Sequence, residues 1–171
     1  MEITYTPIGV IHSPFHDIHG MPIQPASETS APGSIDLLPE YLPGLKDLQG
    51  FSHIILIYHL HQSNHYSLLV TPFLDSKEHG VFATRAPRRP NSIGLSVVRL
   101  LKIEGTTLYV DDLDTLDGTP LLDIKPYVPT FDTPTEFRLG WLKDVKSQVK
   151  TTRSDRRFGD SPENPDHKNE T

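Results

Sequence analysis

Sixteen prolines are scattered through this chain of 171 residues. They argue against a helical bundle, because a proline inside a helix removes a backbone hydrogen bond and clashes with the preceding turn. What lies between them reads as short extended segments. "ITYTPIGVIHSPF" (3–15) is rich in β-branched residues and predicts a first strand interrupted at Pro7. "SIDLLPEYLPGLKDLQGF" (34–51) combines a short strand with a helical turn near 40–47. "SHIILIYHLHQ" (52–62) is almost continuously apolar, as suits a central strand. "YSLLVTPF" (66–73), "GVFATRAP" (80–87) and "SIGLSVVRLLKIEG" (92–105) predict three more strands. "TTLYVDDLDTLDGTPLLDIKPYVP" (106–129) predicts a hairpin partner, an acidic Asp-Gly turn and a further strand, and "TEFRLGWLKDV" (135–145) a last short strand or helix.

Many short strands with turn signals between them predict an all-β fold, a barrel or sandwich. A doubly wound sheet needs long amphipathic helices between its strands, and the sequence has none. One domain is expected over 1–145, as a single β-barrel with short helical turns. Residues 146–171, "KSQVKTTRSDRRFGDSPENPDHKNET", are charged and aromatic-poor, and are expected to form a flexible polar tail. Residues 16–33 form a long proline-rich loop, of the kind that often carries function.

Composition closes off several function classes. With no cysteine, disulfides and thiolate metal sites are excluded. The N-terminus lacks the basic and apolar regions of a signal peptide, and the longest apolar run, "IILIY", is far too short to span a bilayer. A cytoplasmic location is expected. At net charge -6 the chain is a poor general nucleic-acid binder, so RNA would have to meet a local basic patch. There is no P-loop, no Gly-x-Gly-x-x-Gly and no Gly-x-Ser-x-Gly elbow.

"FATRAPRRPNSIGLS" (82–96) is the basic patch. Arg85, Arg88 and Arg89 lie within five residues and repel one another unless an anion is close. Guanidinium groups bind carboxylate and phosphate bidentately, so an anion site is expected, against a plain solvated loop. Asn91 suits loop hydrogen bonding, and Gly94 marks a bulge or a close approach of two backbones. Asp117-Gly118 is a turn signal. Asp123 and Lys125 alternate on the strand that follows, as a surface pair or as part of a pocket wall. His53, His59 and His61 fit packed histidines better than metal ligands, and no metal is expected.

Four blocks in order, "IGVIHSPF", "LQGFSHIILIYHLHQ", "GVFATRAPRRPNSIGLSVVRL" and "LDTLDGTPLLDIKPYVP", resemble the TsaA-like (TrmO) family across roughly residues 6–143. The resemblance implies a β-barrel and a homodimer with its cofactor site near the subunit interface. It also implies methyl transfer from S-adenosyl-L-methionine to N6 of threonylcarbamoyladenosine at position 37 of tRNA, in the anticodon loop. The family's cofactor contacts fall on Pro22, Ile23 and Gln24, on His61 and Gln62, on Arg85, on Leu95, and on Asp117, Gly118, Thr119 and Pro120. Arg88, Arg89, Asn91 and Lys125 are the candidates for meeting tRNA. The chain departs from the family pattern at Ile23, where an arginine is usual, and at Ala86, where a serine is usual. Longer members carry a second C-terminal domain, where this chain has only a tail bearing Arg153, Arg156 and Arg157. Other readings of the same fold are methyl transfer to another RNA or to a small molecule, or a cofactor-binding module without catalysis.

Overall fold

The computed structural model describes residues 2–23, 31–144, 152–155 and 157–158. The described residues form eight strands: β1 Gly9–His12, β2 Gly33–Leu37, β3 His53–His59, β4 Leu69–Val70, β5 His79–Gly80, β6 Ile93–Glu104, β7 Thr107–Asp111 and β8 Thr119–Pro126. Six of them close a barrel in the order β1-β2-β7-β6-β3-β8, with every neighbouring pair antiparallel. Closure leaves the barrel without a free edge. The all-β expectation therefore holds, and the barrel is the form it takes. Helical structure is slight: a four-residue α-helix, α1, at Pro129–Asp132, and 3-10 turns at Pro39–Leu45, Leu48–Gly50, Val81–Ala83 and Gly140–Asp144.

Strand periodicity explains the core. Ile54, Leu56 and Tyr58 alternate inward along β3, while Ile55 and Ile57 face outward and are half-buried. Ile11, Ile35, Val98, Leu108, Val110 and Leu121 join them, all completely buried. Burying each such side chain contributes about 1.5–3 kcal/mol. β6 is twelve residues long because it serves two partners, pairing with β3 through its first half and β7 through its second. A register shift at Leu100 to Lys102 accompanies the change of partner.

Three expected strands are shorter than their sequences suggest. The first begins only at Gly9, after the Pro7 interruption. "YSLLVTPF" contributes just Leu69–Val70, which pairs with His79–Gly80 outside the barrel. "GVFATRAP" is a 3-10 turn and a bend, because Thr84 Oγ1 donates to the Val81 carbonyl at 2.9 Å and accepts from the Ala86 N–H at 3.2 Å. Such side-chain bonds compete with the ladder. The 135–145 segment ends in the Gly140–Asp144 turn, from which Trp141 donates to the Ala83 carbonyl at 2.8 Å and stacks on His79.

Six described residues of the polar tail contact the rest of the molecule. Gly20 donates to the Ser154 carbonyl at 2.8 Å, and Ser154 donates back to the Met21 carbonyl at 2.9 Å. Phe158 is 8% exposed and sits edge-on to Phe73, 5.0 Å between centroids. Arg157 lies over Phe73 and donates to the Pro72 carbonyl at 2.8 Å. Together Val70, Val81, Ala86 and Phe158 form a second small apolar cluster beside the barrel.

Candidate functional site

Antiparallel closure brings the C-terminal ends of β1, β3 and β7 to the same barrel end as the N-terminal ends of β6 and β8. A cavity of about 720 Å³ opens there. Its floor is Tyr58, Gly94, Asp114 and Thr115; its walls come from Ile18 and Met21–Ile23, Leu60–Asn64, Thr84, Arg85, Pro87 and Arg89, Ile93–Leu95 and the described tail. Among the residues expected from sequence, Pro22, Ile23, His61, Gln62, Arg85, Leu95, Thr119 and Arg89 line it. Gln24 lies outside the described residues, as does Arg156.

The remaining expected residues sit elsewhere. Asp117, Gly118 and Pro120 do not line the cavity. Asp117 builds the turn beneath it: its N–H donates to the Phe15 carbonyl at 2.7 Å and its Oδ1 accepts from the Ser13 N–H at 3.1 Å. The Ser13 N–H first, then His12 and His16, hold the Asp117 carboxyl below the usual range. Gly118 takes φ +76°, which a side chain would strain, and donates to the Ile11 carbonyl at 3.0 Å. Of the four turn residues only Thr119 faces the cavity. Its hydroxyl donates to the Leu116 carbonyl at 2.7 Å and lies 3.5 Å from His61 Nδ1. Burial first, and His59 second, push His61 below the ordinary imidazole value, which favours its neutral form.

The arginine loop divides its three charges. Arg85 is exposed into the cavity. Arg88 is 6% exposed and is not part of the lining. Arg89 Nη1 donates to the carbonyls of Val81 at 3.1 Å and Thr84 at 3.0 Å, folding the loop on itself. The Val81 and Thr84 carbonyl oxygens thus offset part of the mutual repulsion, alongside any bound anion. Ala86 is buried in the small cluster with Val81 and Phe158, an apolar place where a serine hydroxyl would be left dry. Asn91 is exposed outside the cavity, and Lys125 pairs with Asp123 at 2.7 Å on the outer surface. Of the two readings of that strand, the surface pair is the one observed.

Sequence reasoning missed the floor. Ser96, completely buried on β6, donates to Asp114 Oδ1 at 2.5 Å, and Tyr58 Oη lies 2.9 Å from the same Ser96 oxygen. Burial is the first cause that lifts the Asp114 carboxyl, to about 6, against the Ser96 hydrogen bond and the Arg85 charge. Burial likewise raises the Tyr58 phenol, which stays protonated. The signal was a serine at an inward position of an apolar strand. Ser154, Asp155 and Phe158 of the tail also line the cavity, and Phe158 is the only aromatic residue beyond 145. Among the described residues no group of three or more His, Asp or Glu is placed to hold a metal.

A closed antiparallel barrel with a ligand-sized cavity at one end defines a small-molecule-binding β-barrel protein. The sequence profile of the tRNA-methyltransferase O N-terminal domain matches residues 10–133, and this chain belongs to that family. It is 52% identical over 158 residues to a probable S-adenosyl-L-methionine-binding protein of Pyrococcus abyssi, covering 92% of this chain and 86% of that one. It is 36% identical to the human tRNA (adenine(37)-N6)-methyltransferase, covering 75% of this chain but 31% of the human one. The crystal structure of TrmO from Pseudomonas aeruginosa superposes with a TM-score of 0.68 at 40% identity, covering 82% of this chain and 63% of that one. The chain therefore spans most of the Pyrococcus abyssi relative and only part of the human methyltransferase and of the Pseudomonas aeruginosa TrmO.

Proposed function

We propose that this chain transfers the methyl group of S-adenosyl-L-methionine to N6 of threonylcarbamoyladenosine at position 37 of tRNA. The observation that carries the reading is the convergence of five separate segments, 22–23, 61–62, Arg85, Leu95 and Thr119, on one cavity. A volume of about 720 Å³ falls within the range of small-molecule sites, roughly 300–1,000 Å³. Ile18, Ile93, Leu95 and Leu116 supply apolar walls for a nucleoside ring, and Arg85 suits a carboxylate. Ile23 adds to the aliphatic wall where an arginine is usual, so any carboxylate contact falls to Arg85.

The cofactor, when bound, supplies an electrophilic methyl carbon. The chain's part is to bind, to align the incoming nitrogen and to receive its proton. Position 37 lies in a single-stranded loop, so the base is splayed into the cavity without melting a duplex. The threonyl carboxylate and the tRNA phosphates are the anions the arginine loop meets, with Arg85 as the exposed member. The name of the human relative supports this activity, and the name of the Pyrococcus abyssi relative supports the cofactor.

We also propose a homodimer in the cytoplasm. Phe82, Tyr66, Leu68 and Leu69 are more than half exposed on the segment beside the cavity, an apolar surface suited to a second copy. Among the described residues no helix is long and apolar enough to cross a membrane. Light scattering at micromolar concentration tests the dimer.

The deciding experiment incubates the protein with labelled S-adenosyl-L-methionine and tRNA, either with or without the threonylcarbamoyl group, and analyses the nucleosides. Label on the modified adenosine alone is the expected result. Bound cofactor with no label on any tRNA identifies a binding module instead.

A further inference from the structure

The cavity floor holds a half-buried carboxylate, Asp114, beside the completely buried Ser96. Asp114 sits in the connection between β7 and β8 and lines the cavity. Ser96 has a single hydroxyl proton, and it is donated to Asp114 Oδ1. The Tyr58 hydroxyl, 2.9 Å from Ser96, must therefore donate to the serine oxygen. The chain of protons Tyr58, Ser96, Asp114 points one way, toward the carboxylate. Among the described residues that carboxylate accepts hydrogen bonds only from Ser96 and its own backbone N–H. A carboxylate offers about four lone-pair sites, so acceptor capacity remains for an incoming N–H.

We propose that Asp114 accepts the proton that leaves the adenine N6 nitrogen as that nitrogen is methylated. The inference rests on the methyl-transfer reading above. The nitrogen lone pair forms the new bond to the methyl carbon. The electron pair of the carbon–sulfur bond stays on sulfur, which becomes a neutral thioether. The N–H proton passes to the Asp114 carboxylate, and the nitrogen ends neutral and methylated.

The competing groups are placed less well. Asp117 is outside the cavity and is held by the Ser13 N–H and two histidines. His61 lines the wall beside Thr119 and is partly open to water. The groups that act electrostatically on Asp114 are Tyr58, Ser96 and Arg85. A carboxyl near 6 is ionised at neutral pH yet basic enough to share a proton in the transition state.

Three measurements on the whole protein test this. Carbonyl ¹³C titration of the cofactor-free protein should show one aspartate with a midpoint near 6 that disappears in D114N. D114N should bind S-adenosyl-L-methionine within about threefold of the parent, a small free-energy change. It should lose single-turnover transfer by about 10²- to 10⁴-fold at saturating cofactor, with the acid limb of the rate profile. S96A should move that limb to higher pH, because the Ser96 hydrogen bond holds the carboxyl down. D114N that transfers normally, or an acid limb abolished by H61Q and kept in D114N, overturns the assignment while leaving methyl transfer standing. A parent protein inactive on threonylcarbamoylated tRNA overturns both.

Discussion

Tyr58 and Gly94 face each other across β3 and β6, and the phenol ring lies so close that a Cβ on residue 94 would come within 2.1 Å of it. The glycine is the seat that lets the ring reach Ser96 and close the cavity floor. The close approach expected at Gly94 is therefore a side chain lying on a strand.

Replacing Gly94 with alanine should displace the Tyr58 ring and break its hydrogen bond to Ser96. Overpacking of this kind costs about 1–3 kcal/mol. Urea denaturation of G94A should show that loss, together with weaker cofactor binding in a titration. An unchanged midpoint with full affinity would show that the ring has another place to go.

Arg85 and Arg89 should behave oppositely. Arg89 donates to the Val81 and Thr84 carbonyls, and hydrogen bonds of this charged type contribute about 1.5–3 kcal/mol each in sheltered sites. R89A should lower thermal stability and loosen the loop. R85Q should fold normally and weaken binding of cofactor or tRNA. Filter-binding and melting curves on both variants check the division; a destabilised R85Q with normal binding refutes it.

The tail should matter to the cavity. Phe158 and Ser154 line it, and Ser154 is bonded to Gly20 and to Met21, which lines the cavity beside it. Ending the chain at residue 151 should reduce cofactor affinity by about tenfold or more, the equivalent of one or two lost anchoring contacts. F158A alone should give part of the loss. Isothermal titration of both proteins provides the comparison.

Asp114 and Asp117 should have opposite signs in stability against pH. The Asp114 carboxyl lies above its ordinary value, so folding resists its ionisation. Stability is lost as pH rises from about 4 to about 6 and stays lower above. D114N should thus match or exceed the parent in stability at pH 8, with the gap closing below pH 4. The Asp117 carboxyl lies below its ordinary value, so its contribution is present above the unfolded value and is lost as pH falls through the folded one. D117N should be less stable than the parent at pH 7 and draw level in acid. Urea midpoints across pH 3–8 read both.

Much of the barrel was legible in the residues alone. The almost continuous apolar run of 52–62 and the apolar stretch of 92–105 are local signals, so β3 and β6 could be read before any partner was known. Pro, Gly and Asp-Gly signals placed the turns for the same reason. His61, Gln62, Arg85 and Leu95 were expected from the family resemblance of four ordered blocks, and the closed barrel sets them around one cavity. Tertiary structure decided the rest. Two aspartates three residues apart, Asp114 and Asp117, look equivalent in sequence, yet barrel closure sends one to the cavity floor beside Ser96 and the other to a hydrogen-bonded turn. Three adjacent arginines look like one patch, yet the fold exposes one, buries one and ties one to carbonyls. Burial, charge and desolvation depend on which distant segments meet, and those meetings are set by how six strands close on one another.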